Sequence, residues 1–163
     1  MKVEMNLKGV DGVLKTLKSL PPEIVSKRGG PVKLALAKGA RFLRDKAKNN
    51  LTGQIARNGD ESTGLLLENV IASRGKAPND GKGERYLVRV KRKTYNKEKG
   101  GKVTTLQTAN LLEYGSEHQP ATPWLRPALR SFGSQTIDIV TEDLVKRIDK
   151  VVAKLAQSNS GAK

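Results

Sequence analysis

The sequence predicts an α+β domain: a small antiparallel sheet packed against helices, with a long C-terminal helix. Three observations carry that expectation. Apolar and polar residues alternate over 3–7 and again over 85–95, the period of a half-buried strand. Apolar residues recur every three or four positions over 32–51 and 129–155, the period of an amphipathic helix. Clusters of Gly, Asn, Ser and Pro separate these stretches, and no internal repeat marks a second unit. A chain of 163 residues fits one domain, expected over 1–156 with a flexible polar tail at 157–163.

The elements follow in order. Val3, Met5 and Leu7 alternate with Lys2, Glu4, Asn6 and Lys8 and form the first expected strand. Val10, Val13, Leu14, Leu17 and Leu20 mark a short helix, with Asp11 as its N-cap and Pro21-Pro22 as its stop. After a connector at 23–31, a second helix of about five turns carries Val32, Leu36, Ala40, Leu43, Ala47 and Leu51 on one stripe. Lys33, Lys38, Arg41, Arg44 and Lys48 lie off it. Residues 52–64, rich in Gly, Asn, Asp, Ser and Thr, read as an exposed loop. Residues 65–73 begin with a turn and become a strand at Val70-Ile71-Ala72.

Over 85–95, Tyr86, Val88 and Val90 fall on one side and Arg89, Lys91 and Lys93 on the other, the clearest strand in the chain. A loop holding Gly100-Gly101, a short element at 104–114 and a Pro-rich turn at 116–123 lead to the last helix. There Leu129, Phe132, Thr136, Val140, Leu144, Ile148, Val151 and Leu155 share a face, with Ile137 alongside. Pro127 is tolerated in the first turn, where its missing N–H would have had no partner.

Composition narrows the function. There is no cysteine, so disulfides and thiolate metal sites are excluded. The N-terminal residues lack the apolar run of a secretory signal, and no stretch approaches the ~20 apolar residues of a membrane span. His118 is the single histidine and reads as a solvated turn residue rather than a ligand. No Ser sits in a nucleophile elbow, and Gly29-Gly30-Pro31 lacks the Lys-Ser/Thr ending of a phosphate loop. Glu113 and Glu117 are the nearest carboxylate pair, with no spacing that demands acid–base work. No enzyme activity, metal or cofactor is expected.

The formal charge is +15, which favours anionic partners. It is concentrated over 82–102, where nine Lys and Arg face only Glu84 and Glu98. Arg89, Lys91, Arg92, Lys93, Lys97 and Lys99 are the candidate contacts for DNA phosphates or an acidic partner. A solvated strand that resists edge pairing is the third reading. Tyr86 and Tyr95 are the only aromatics there, too few for a single-strand binder that works by stacking.

The most informative stretch is Ala109-Asn110-Leu111-Leu112-Glu113-Tyr114-Gly115-Ser116, then Ala121-Thr122-Pro123-Trp124-Leu125-Arg126-Pro127-Ala128. It reads as a short apolar element, a sharp turn at glycine, a Pro-stiffened link and an aromatic anchor opening a helix. Arg126 falls in that helix's first turn, where the dipole disfavours a cation, so Glu113 or an external anion is its expected partner. This stretch resembles the tail-completion, or head–tail joining, family of minor tail components in lambda-like long-tailed phages. Ala109, Leu112 to Ser116, Ala121 and Pro123 to Ala128 carry the match, followed by the long helix. Residues 9–17 and Thr63-Gly64-Leu65 are similar to further family segments, so the likeness spans nearly the whole chain. Thr108 stands where an aromatic is common, Trp124 replaces the usual Phe, and 91–102 is more basic than typical.

The resemblance implies a non-enzymatic virion protein, made in the host cytoplasm, forming a closed ring expected as a hexamer at the head–tail junction. Its implied partners are other copies of itself, the tail terminator and the head connector or stopper, with genome DNA in the channel a further candidate and no membrane. Glu113, Tyr114, Gly115, Pro123, Trp124, Leu125, Arg126 and Pro127 are the expected interface residues. The rival reading is a basic nucleic-acid-binding protein outside the virion, supported by charge; a small hydrolase or toxin lacks a plausible nucleophile or metal set.

Overall fold

The computed structural model describes residues 30–59, 62–76, 83–95 and 101–160. The strand and short helix expected over 3–20 lie outside the described residues, as do Lys97 and Lys99. Among the described residues the order is α1 (Pro31–Asn58), α2 (Leu65–Asn69), β1 (Val70–Arg74), β2 (Tyr86–Val90), β3 (Thr94–Tyr95), β4 (Val103–Thr104), α3 (Thr105–Tyr114) and α4 (Leu125–Ser160). Two antiparallel strand pairs, β1–β2 and β3–β4, accompany the helices. This is the expected α+β arrangement, ending in a long helix.

α1 is the central element, packing on α4 along one side and on the β1–β2 hairpin along another. Pro31 opens it at a position where no N–H is needed. Burial on more than one side explains why Ala35, Ala37 and Gly39 are buried although they lie off the expected stripe. The helix is 28 residues long and overruns the loop expected from residue 52. Ile55 adds another turn of contact with the core, and Thr52 Oγ1 donates back to Lys48 O at 3.1 Å. Gly59 ends the helix with its N–H bonded to Ile55 O. Favourable tertiary burial thus overrides the weak local helix preference of Thr52-Gly53.

α4 has 36 residues and places Pro127 in its first turn. It continues to Ser160, into the residues expected as a polar tail. α1 and α4 run antiparallel: Ala35 clusters with Leu144 and Ile148, the Phe42 and Phe132 rings meet edge to face at 6.3 Å, and Asn50 reaches Trp124. At Gly39 the surface of α4 comes so close that an added Cβ would lie 2.3 Å from the Val140 Cγ2 methyl and 3.3 Å from the Thr136 carbonyl. Glycine there permits the close approach of the two helices.

In the hairpin, Val70 pairs with Val90, Ala72 with Val88 and Arg74 with Tyr86. Val88 and Val90 pack against the main core of Ala47, Leu51, Leu66, Val70, Ala109, Trp124 and Ala128. Trp124 is the largest fully buried side chain. At about 25 cal/mol/Å² over roughly 200 Å², its burial contributes roughly 5 kcal/mol before entropy is counted. The strand expected as one run over 85–95 is two. β2 stops at Val90 and β3 begins at Thr94 to pair with Thr104 of β4, leaving a bend at 91–93.

Candidate interaction site: a carboxylate-stapled turn

The site begins where α3 is launched and stopped. Thr104 caps its N-terminus in a reciprocal arrangement: Thr104 Oγ1 accepts from Gln107 N at 3.3 Å, and Gln107 Oε1 accepts from Thr104 N at 2.9 Å. α3 ends at Gly115, which has φ +77° and ψ −173°. An added Cβ there would meet Ala121 N at 2.8 Å and Gln119 O at 2.9 Å, so only glycine fits both the dihedrals and the space. The chain then turns through 116–119, with Ser116 N donating to Gln119 O at 2.8 Å and Ser116 Oγ accepting from His118 N and Gln119 N. Thr122 N returns to Leu112 O at 2.8 Å, which lays the link back over α3.

That return brings the start of α4 onto Glu113. Glu113 Oε2 accepts from Trp124 N and Leu125 N, both at 2.9 Å. Glu113 Oε1 accepts from Arg126 N at 3.0 Å and from Arg126 Nε at 2.8 Å. Arg126 Nη2 also donates to the Glu113 carbonyl at 2.8 Å. A helix N-terminus leaves its first N–H groups without intrahelical partners, and the tryptophan preceding α4 has no side-chain acceptor to offer. Glu113 supplies the cap from another helix, and Pro127 has no N–H left to satisfy. The carboxylate also complements the helix dipole and neutralises Arg126. Trp124 is fixed from its other side by Asn50 Nδ2 donating to its carbonyl at 3.2 Å, while Gln54 Nε2 holds Pro123 O at 3.4 Å.

The electrostatics follow from this geometry. Burial pushes the Glu113 carboxyl up, but the N–H groups of Leu125 and Trp124 and the Arg126 guanidinium outweigh it and hold the group below the usual carboxylate range. Glu113 is only 4% exposed and faces backbone donors, so its geometry suits holding a turn rather than moving a proton. Beside the turn, an open groove of about 400 Å³ runs between α1 and α4, lined in part by Asn49, Gly53, Arg57, Ser131 and Phe132. Among the described residues no group of three His, Asp or Glu is arranged to hold a metal ion.

Comparison with protein-family models, with curated proteins and with solved structures finds no match to this chain. The residues themselves therefore carry the functional argument.

The structure brings together all eight residues singled out around the turn, but they divide into two roles. Glu113 and Trp124 are buried, Gly115, Pro123, Leu125 and Pro127 are half-buried, and these shape the turn from within. Tyr114, at 66% exposed, is the side chain that faces outward. The Arg126 guanidinium lies over its ring at 4.8 Å, so the Glu113–Arg126 pair also orients the exposed tyrosine. Leu106 and Leu111 are exposed on the same short helix. Of the basic set, Arg89, Lys91, Arg92 and Lys93 are all exposed.

Two features escaped the sequence. Buried Thr105 clamps the 91–93 bend, and buried Asp143 accepts from Lys38 at 2.9 Å and from Arg147 one turn away. Both join residues remote in sequence. The first-turn cation at Arg126 is a local signal for an anionic partner, Glu113 or an external one, and the structure pairs it with Glu113.

Proposed function

We propose that the chain is a structural subunit of a ring at the head–tail junction of a long-tailed phage, joining tail to head connector and performing no chemistry. The observation that carries this reading is the stapled turn. A buried carboxylate, two prolines and a glycine hold one exposed aromatic in a fixed position beside exposed leucines. Interfaces between subunits are enriched in aromatic anchors set among apolar contacts and bounded by a polar rim. The α+β fold with its long last helix agrees with what the resemblance implies, and the ordered motifs from 109 to 128 coincide with the stapled segment. A closed ring needs two different faces on each subunit that meet head to tail.

Mass analysis of purified full-length protein and of mature particles tests the reading. A closed oligomer, presence in finished particles, and unjoined heads and tails after deletion of the gene are the expected results. Tyr114→Asp is expected to abolish joining while costing the subunit no more than about 1 kcal/mol of stability, because the tyrosine is exposed and its contact with Arg126 is a surface one. Normal particle assembly without the gene would end the proposal.

A further inference from the structure

No ion pair among the described residues includes a residue of the 85–93 segment. Glu84 takes Arg74 and Lys33, Asp45 takes Arg44, Glu113 takes Arg126, and Asp143 takes Lys38 and Arg147. Arg85, Arg89, Lys91, Arg92 and Lys93 have no acidic partner among the described residues, and all are exposed. Three of these cations are consecutive and repel one another, and no acidic side chain among the described residues pairs with them.

The backbone beneath them is held in place. Lys91 N donates to Asn69 O at 2.8 Å, continuing the hairpin ladder by one bond. Thr105, fully buried, donates from Oγ1 to Lys91 O at 2.8 Å and accepts from Lys93 N at 2.9 Å. Thr105 N then bonds Lys93 O at 2.8 Å. The backbone N–H and C=O groups of Lys91 and Lys93 are thus all paired, which fixes the two ends of the bend, while the side chains of 91–93 are exposed. A solvated charge run needs no such clamp; a preorganised cation cluster lowers the entropy cost of meeting an anion.

We infer that the 89–93 bend is a sequence-independent contact for the phosphate backbone of duplex DNA. The chemistry of the segment decides among anions. None of the exposed large apolar side chains lies in 85–95, whereas a docking surface for an acidic protein is depleted of charge at its centre and anchored by apolar or aromatic groups. Tyr86 and Tyr95 are half-buried, so the strip offers no exposed ring for stacking the bases of a single strand. Charge alone, at fixed spacing, matches a backbone that presents one phosphate after another. The inference deepens the ring reading by giving the subunit a nucleic-acid partner, but it stands on the bend alone.

The test is binding of fluorescently labelled short duplexes of two unrelated sequences to the full chain, over about 50 to 200 mM salt. Equal affinity for both sequences and a steep salt dependence are expected. Lys91→Gln, Arg92→Gln and Lys93→Gln together should lower the slope of log K against log salt by about three and weaken binding by tens to hundreds of fold at about 0.1 M salt. Lys146→Gln, Lys150→Gln and Lys154→Gln together remove the same charge from exposed positions of α4 and should leave the slope unchanged. Equal losses in the two triple variants would overturn the inference, showing only a response to net charge. Polyglutamate binding as tightly as DNA, with the same dependence on 91–93, would overturn it in favour of an acidic protein. Absence of duplex binding at low salt would overturn it outright. Oligomeric mass is read separately: a closed ring without duplex binding sinks this inference alone, and duplex binding by a monomer sinks only the ring.

Discussion

The α1–α4 seam and the Glu113 turn solve the same problem, joining distant segments, by opposite means. The seam spreads its contacts over many small units: Ala35 against Leu144 and Ile148, Gly39 under Val140, Phe42 against Phe132. Its carboxylate, Asp143, pairs with side chains of Lys38 and Arg147 that remain partly in water. The turn instead gathers the ends of α3 and α4 onto one buried carboxylate that holds three backbone N–H groups and a guanidinium. A distributed contact tolerates local loss, whereas a concentrated one fails when its single group is removed. The exposed Tyr114 is mounted on the concentrated one, so the surface proposed for docking inherits that dependence.

The largest effect is therefore expected at Glu113. Glu113→Ala strands buried N–H groups and leaves Arg126 without its counter-charge, at a cost of about 3–5 kcal/mol in urea denaturation. Glu113→Gln keeps an acceptor oxygen and should cost less. The same pair of proteins reveals the ionisation. The folded-state pKa of Glu113 lies below its ordinary value of about 4.5, so its stabilisation is present above that value and is lost as pH falls through the folded pKa. Stability measured from pH 6 downward should drop more steeply below about pH 4.5 in the native protein than in Glu113→Gln. Parallel curves would show that the carboxylate's charge contributes nothing to the turn.

These two regions also differ in how far the sequence foretells them. The α4 stripe is legible because Phe132, Thr136, Val140, Leu144 and Ile148 repeat at the helical period and all lie along the face that meets α1 or its cluster. The turn is legible in part: the prolines and glycine mark it, and an arginine at a helix start points to an anion. That Glu113 also caps Trp124 and Leu125 depends on where the link lands, which local pattern does not record. The end of α1 was obscured because Thr52 and Gly53 have low helix preference, while the contact through Ile55 that overrides it is tertiary. The bend at 91–93 falls where Arg92 occupies the apolar side of the alternation, and Thr105, 12 and 14 residues away, takes the backbone bonds of Lys93 and Lys91 there. Lys38 and Asp143 lie 105 positions apart, beyond any local signal.

A smaller, sharper test of the distributed seam lies at Gly39. Alanine there gains about 1 kcal/mol of helix preference but must displace Val140 Cγ2, with Thr136 Cγ2 and the Thr136 carbonyl both at 3.3 Å. Overpacking of this kind costs about 1–3 kcal/mol, so Gly39→Ala alone should be neutral to destabilising. In a Val140→Ala background the obstructing methyl is gone and the same substitution should cost less or stabilise. A double-mutant cycle is expected to show coupling of about 1 kcal/mol or more. Additive effects would mean that the helices separate freely to admit a methyl group, and the seam would be looser than its close approach implies.

The smallest effect is expected at Lys38, and it isolates what makes the turn different. Lys38 and Arg126 both pair with a buried carboxylate at under 3 Å, and their side chains are 54% and 42% exposed. If the salt bridge itself were the source of strength, the two cations would matter alike. Asp143, however, holds no backbone N–H in its pair with Lys38, and Arg147 remains bonded to it when Lys38 is removed. Lys38→Ala should therefore cost no more than about 1 kcal/mol in low salt, and that cost should shrink further at high salt as the exposed end of the pair is screened. A loss approaching that of Glu113→Ala, insensitive to salt, would place the strength in ion pairing and remove the distinction between an anion that bridges side chains and one that caps a helix.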